Sequence, residues 1–151
     1  MRAHYRSNNA VVDAATLDRA GIHHRHLGLD PASYQPALDA LKAQGGYGTQ
    51  DEVQLSSSTP NLAAVMKKFD DEHTHSDDEI RFVLDGEGVF DIRDRDDRMI
   101  RVVVEAGDLI VVPAKVNHRF ELSELCRIRC IRLFKDPSGW VPAYRDNPPA
   151  P

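Results

Sequence analysis

The stretch DEHTHSDDEIRFVLDGEG, residues 71–88, sets His73 and His75 two apart, Glu79 four residues on and Arg81 two beyond that. Side chains of an extended chain alternate faces, so residues of one parity share a side. If the chain stays extended from Glu72 to Leu84, then His73, His75, Glu79 and Arg81 form one polar row, and Ile80, Phe82 and Leu84 lie opposite. Alternation alone fits the solvated face of an antiparallel sheet. Two imidazoles with a carboxylate on the same side also suit a borderline divalent metal, and two histidines plus one carboxylate is the facial set of many non-haem iron enzymes.

Two later stretches bear on that choice. In GDLIVVPAKVNHRFEL, His118 shares a strand face with Phe120 and Leu122. A lone histidine there is more often a core residue, but joined to the earlier trio it becomes a fourth candidate ligand. In RIRCIRLF, Arg132 falls on the face of Ile128, Cys130 and Phe134, where a buried guanidinium needs an anionic partner. Either an internal ion pair or, together with Arg81, an anionic ligand beside a metal answers that need. His24 and His26 repeat the two-residue spacing but have Arg25 between them and no acidic residue nearby in the sequence, so neither they nor His4 and His23 are expected as ligands. Asp77, Asp78 and Asp85 lack calcium-loop spacing and read as turn or solvent residues; no phosphate loop or nucleophile elbow is present.

Such residues need a rigid frame. From about residue 72 the chain reads as successive strands, THSDDEIRFVL, GVFDIRD, MIRVVVE, DLIVVP, HRFEL and RIRCIRLF, separated by the turn signals DGEG, RDRDD, EAGD and PAKVN. Short strands at this spacing predict a β-sandwich or barrel. Upstream, GIHHRHLGL reads as an edge strand, and DPASYQPALDALKAQGG as a helix stopped by Gly45 and Gly46. TPNLAAVMKKF reads as a second helix, with Thr59 as N-cap and Pro60 in the first turn.

A chain of 151 residues is expected to form one domain, with the barrel core at about 50–145, a strand and helix extension before it and a loose tail over 146–151. The net charge of −5 argues against a nucleic-acid partner, which would need clustered cations. No apolar run approaches a membrane span, and the N-terminal residues do not read as a leader, so a cytoplasmic protein is expected. Cys126 and Cys130, read as lying on one strand about 13 Å apart, are too distant to bridge and are expected as packing thiols.

The pattern His73-x-His75-x3-Glu79-x6-Gly86, then Gly107-x5-Pro113-x4-His118, resembles the two cupin motifs. The fuller stretches EHTHSDDEIRFVLDGEGVFDIRD, GDLIVVPAKVNHRF and IRLFKDPSGW are similar to the acireductone dioxygenase family over about residues 50–145. That resemblance implies a mainly β, single-domain cupin (jelly-roll) barrel with a few short α-helices outside, mostly N-terminal. It implies His73, His75, Glu79 and His118 as ligands of one Fe2+ or Ni2+ per chain. It implies Arg81 and Arg132, with Glu79, as catalytic groups, and Phe69, Phe120 and Trp140 as pocket walls that keep water out. The implied reaction, in methionine salvage, cleaves an acireductone with O2. The products are formate and 4-methylthio-2-oxobutanoate with iron, or formate, CO and 3-methylthiopropanoate with nickel. A monomer is expected, with a dimer as the alternative. Two departures stand out: Lys115 where the cupin motif usually has glycine, and Met99, expected on an outer strand, where the family often has tryptophan. The rival readings are another metal-dependent cupin enzyme, such as a different dioxygenase or an isomerase, and a non-enzymatic small-molecule binder.

Overall fold

A computed structural model describes residues 2–136 and 141–151. Among these described residues, ten strands and three helices follow the order β1 (Arg2–Tyr5), α1 (Ala14–Arg19), β2 (His23–His26), α2 (Pro31–Gly45), β3 (Thr49–Ser56), α3 (Leu62–Asp70), β4 (His73–Thr74), β5 (Glu79–Arg93), β6 (Met99–Glu105), β7 (Asp108–Val112), β8 (His118–Leu122), β9 (Arg127–Phe134) and β10 (Ala143–Tyr144). The mainly β architecture expected from the sequence is present.

β5 is the spine. Its first half pairs with β7 on one side and β9 on the other, and those pair in turn with β2 and β3. Its second half pairs with β6 and β8, which lead on to β1 and to β4 and β10. The register slips between Val83 and Asp85, so the strand bends where it passes from one sheet to the other. DGEG, expected as a turn between two strands, is therefore the bend inside one strand of 15 residues. Gly86 makes it possible: its φ is +80°, and a Cβ there would lie 2.1 Å from the Arg127 carbonyl oxygen.

Apolar residues of both sheets fill the space between them: Val83, Ile110, Val112 and Ile128 from one, Phe90, Ile92, Ile100, Val102 and Phe120 from the other. The opposite face of the first sheet, with Ile80, Phe82, Leu109 and Ile131, packs under Leu38 and Tyr34 of α2 and under Tyr47. The polar face of β5 thus looks into the molecule, and the apolar face is the one covered by a helix. α2 starts on Asp30, whose carboxylate accepts the Ala32 N–H at 3.0 Å, and stops at Gly46 with φ +71°.

α3 departs from expectation at its start. Thr59 does not cap it; its Oγ1 accepts from Ser56 N–H at 2.9 Å and closes a turn, and the helix begins three residues later, after Asn61. Cys126 lies in the turn before β9 rather than on it, and both cysteines are free. Met99 lies on β6, which has neighbours on both sides and is not an outer strand, and its side chain is buried. The tail expected to be loose is held: the Arg93 guanidinium donates to Pro149 O at 2.7 Å and Ala150 O at 3.1 Å.

Candidate metal centre

The chain does not stay extended from Glu72 to Leu84. β4 ends at Thr74, a loop carries His75 through Asp78, and β5 starts at Glu79. The four expected ligands converge all the same. His73 on β4 and His118 on β8 are direct cross-strand partners, Glu79 opens β5, and His75 arrives from the loop. One donor atom from each of His73, His75, Glu79 and His118 lies within 4.8 Å of the other three. The ring centroids are 4.6 Å apart for His73 and His118, 4.9 Å for His73 and His75, and 5.4 Å for His75 and His118.

Backbone carbonyls set the imidazole tautomers. His73 Nδ1–H donates to Asp71 O at 2.6 Å, and His118 Nδ1–H donates to Val116 O at 2.9 Å. When neutral, each ring therefore keeps its lone pair on Nε2, an orientation typical of ligating histidines. His118 Nε2 sits 3.0 Å from Glu79 Oε2 and His75 Nε2 sits 3.4 Å from the same oxygen. A nitrogen lone pair facing a carboxylate at that distance is favourable only with a proton or a metal cation between them. Among the described residues, His75 Nδ1 is also the buried side-chain polar atom that lacks a hydrogen-bond partner. Three nitrogen donors and one carboxylate converge, with backbone carbonyls holding His73 and His118 from behind, and this set fits a divalent transition metal.

Charge is balanced closely. Burial favours the neutral acid of Glu79, but Arg81, 3.3 Å away, and the two histidines hold its carboxyl well below the usual range. Burial also disfavours the imidazolium of His118, yet the Glu79 carboxylate reverses the direction and raises it; His73, without such a partner, is lowered by burial.

Arg81 and Arg132 are direct cross-strand partners on β5 and β9, and Arg132 in turn faces Asp51 on β3. Arg132 donates to both Asp51 oxygens, Nε at 2.8 Å and Nη2 at 2.6 Å. The first answer offered by the sequence holds, since the guanidinium has an internal anion, and Arg132 also lines the chamber. Asp51 lies on a strand that the sequence pattern did not reveal.

Two cavities meet at Phe69, Glu79, Arg81 and Arg132. The outer one, about 230 Å³, is lined by His73, His75, Asp77 and Tyr144 besides. The inner one, about 50 Å³, is walled by Leu55, Phe90, Phe120, Ile128 and Cys130. Burial pushes the Cys130 thiol up to about 11, so it stays a neutral wall residue. Phe69 and Phe120 meet edge to face at 6.3 Å. Trp140 lies outside the described residues.

Residues 2–142 match the family model described as "ARD/ARD′ family". The chain belongs to that family. Among ARD relatives, the acireductone dioxygenase of Heterostelium pallidum is 43% identical over 96% of this chain and 98% of its own length. That of Dictyostelium discoideum is 40% identical over 96% and 99%. A solved ARD structure, acireductone dioxygenase from Bacillus anthracis with a cadmium ion in its active centre, matches with a TM-score of 0.86 at 30% identity, over 95% of this chain and 97% of that one.

The fold also brings in residues the sequence left aside. Asp78, expected as a turn or solvent residue, lies in the loop and accepts the Ala114 N–H at 2.8 Å and the Tyr47 hydroxyl at 3.2 Å, and Lys115 N–H donates to His75 O at 2.8 Å. These bonds tie the His75 loop to the one before His118. Lys115 adopts φ +64°, which explains why the cupin motif has glycine there. His24 Nε2 and His26 Nδ1 do have an acidic neighbour, supplied by the fold: both lie within 3.0 Å of one oxygen of Asp108, which is fully buried. They clip β2 onto β7.

Proposed function

We propose that the chain is an acireductone dioxygenase, using Fe2+ or Ni2+ held by His73, His75, Glu79 and His118 to cleave an acireductone with O2. The observation that carries this reading is the juxtaposition of four convergent donors, two arginines and an apolar pocket around a single chamber. Glu79, Arg81, Arg132 and Asp51 sum to zero with the imidazoles neutral. A divalent ion adds two positive charges, and a doubly deprotonated enediol cancels them.

When bound, the metal supplies Lewis-acid stabilisation of two deprotonated substrate oxygens. The protein does the rest. Arg81 and Arg132 receive the negative charge of the enediolate from one wall of the chamber. Glu79, kept ionised beside Arg81, is an anionic ligand that can relay an enediol proton but not keep it, because the charges that hold its carboxyl low disfavour the neutral acid. The methylthio tail extends past Phe69 into the inner pocket, where Phe120 and its neighbours exclude water.

The product set follows the metal: formate and 4-methylthio-2-oxobutanoate with iron, or formate, CO and 3-methylthiopropanoate with nickel. The donor set accepts both, and nickel binds such sites more tightly by the usual order, so metal supply decides. We read iron as the ion carried, in a cytoplasmic monomer of the methionine salvage pathway.

Anaerobic titration tests the binding step. Acireductone added to the metal-loaded protein without O2 should show its enediol absorption shifted to the longer wavelength of the deprotonated form, and Arg81→Met should weaken that binding tenfold or more. A spectrum that stays that of the free substrate would count against this reading.

A further inference from the structure

Arg93 closes β5 with its side chain only 4% exposed, and all five of its guanidinium N–H groups are used. Nε and Nη2 donate to the two oxygens of buried Glu72 at 3.1 and 3.2 Å. Nη1 donates to Asp97 O at 2.8 Å and Ala150 O at 3.1 Å, and Nη2 donates to Pro149 O at 2.7 Å. Its backbone N–H donates to Asn117 O at 2.9 Å. Glu72 and Asn117 are the residues immediately before His73 and His118. One residue therefore grips, by side chain and by backbone, the chain just ahead of both cross-strand histidines.

The segment Asp146–Pro151 completes the grip. Arg145 donates to both oxygens of Asp97 at 2.8 and 2.7 Å and to Glu72 Oε1 at 2.9 Å, and its N–H donates to Glu72 O at 2.9 Å. Tyr144 pairs with His73 across the sheet, and its hydroxyl donates to Lys68 O at 3.1 Å. Prolines at 148, 149 and 151 restrict the backbone there, so two carbonyls are presented to Arg93 with little freedom left to lose. Burying an ion pair is costly, and a hydrophobic pair would fill the same space; what the guanidinium adds is five fixed directions.

We propose that Arg93, with the segment Asp146–Pro151 closed over it, is a positioning residue that sets the spacing of His73 and His118. The claim rests on the reading that these histidines hold a metal.

Three proteins decide it, each prepared metal-free: the full chain, a chain ending at Asp146, and Arg93→Lys. The readouts are Ni2+ affinity by chelator competition, the visible spectrum of the Co2+-saturated protein, and the melting temperature without metal. The full chain should bind one ion. The shortened chain should lose about tenfold in affinity and show an altered Co2+ spectrum, the usual scale for lost outer partners of a ligand. Arg93→Lys, unable to make five bonds, should lose more. Wild-type affinity and Co2+ spectrum in the shortened chain would overturn the proposal, even if that chain melts earlier, because lower stability alone leaves ligand geometry unchanged. If Arg93→Lys fails to fold, the shortened chain decides alone. A full chain that binds neither Ni2+ nor Co2+ would instead defeat the metal reading itself.

Discussion

Glu79 receives Arg81 on one carboxylate oxygen and the Nε2 atoms of His75 and His118 on the other. Removing it leaves Arg81 without its nearest anion and three imidazoles without a charged co-ligand. Glu79→Ala should cut bound metal by tenfold or more, read by elemental analysis after dialysis, and abolish turnover; retained metal and activity would take Glu79 out of the ligand set. At this scale the sequence was informative where residue type and parity agreed. His73, His75, Glu79 and Arg81 could be grouped from spacing alone, although the chain between His75 and Glu79 turns out to bend. What spacing could not supply was partners distant in sequence. Asp51 for Arg132, Asp108 for His24 and His26, and Asp78 for the loop before His118 are each brought in by tertiary pairing.

Strands β6 and β7 were legible because each carries a run of branched apolar residues, and β8 and β9 because apolar residues alternate with charged ones, all between turn signals. β3 was not, since TQDEVQLS is mostly polar and, among the described residues, pairs on one side only, with β9. DGEG misled for a definite reason: glycine next to acidic residues marks both a turn and a bend within a strand, and only the pairing partners tell them apart. Which face of β5 points inward was also hidden, because α2 covers the apolar side and makes both faces buried. Two substitutions test the backbone argument with opposite signs. Lys115→Gly relieves a left-handed residue and should raise stability by about 0.5–1 kcal/mol. Gly86→Ala forces a Cβ against the Arg127 carbonyl and should cost about 2 kcal/mol or more. Urea denaturation of the metal-free proteins reads both.

Across the whole molecule, the centre draws its donors from β4, the following loop, β5 and β8, so any ion bound there ties separate parts of the chain together. Such coupling makes metal affinity part of folding stability. At a free metal concentration 100-fold above the dissociation constant the gain is about 2.7 kcal/mol, which for a chain of this size corresponds to a rise in melting temperature of roughly 5–11 °C. Calorimetry with and without Ni2+ should show that rise, and a chelator should remove it. The chamber makes chemical sense only if its donors, arginines and apolar pocket act on one substrate. The direct test is turnover: metal-free protein loaded separately with Fe2+ and with Ni2+, given acireductone and O2, with oxygen uptake, formate and CO measured against the free ions. Formate with both metals and CO with nickel alone is the expected result; no turnover above the free ions with either metal would contradict the account.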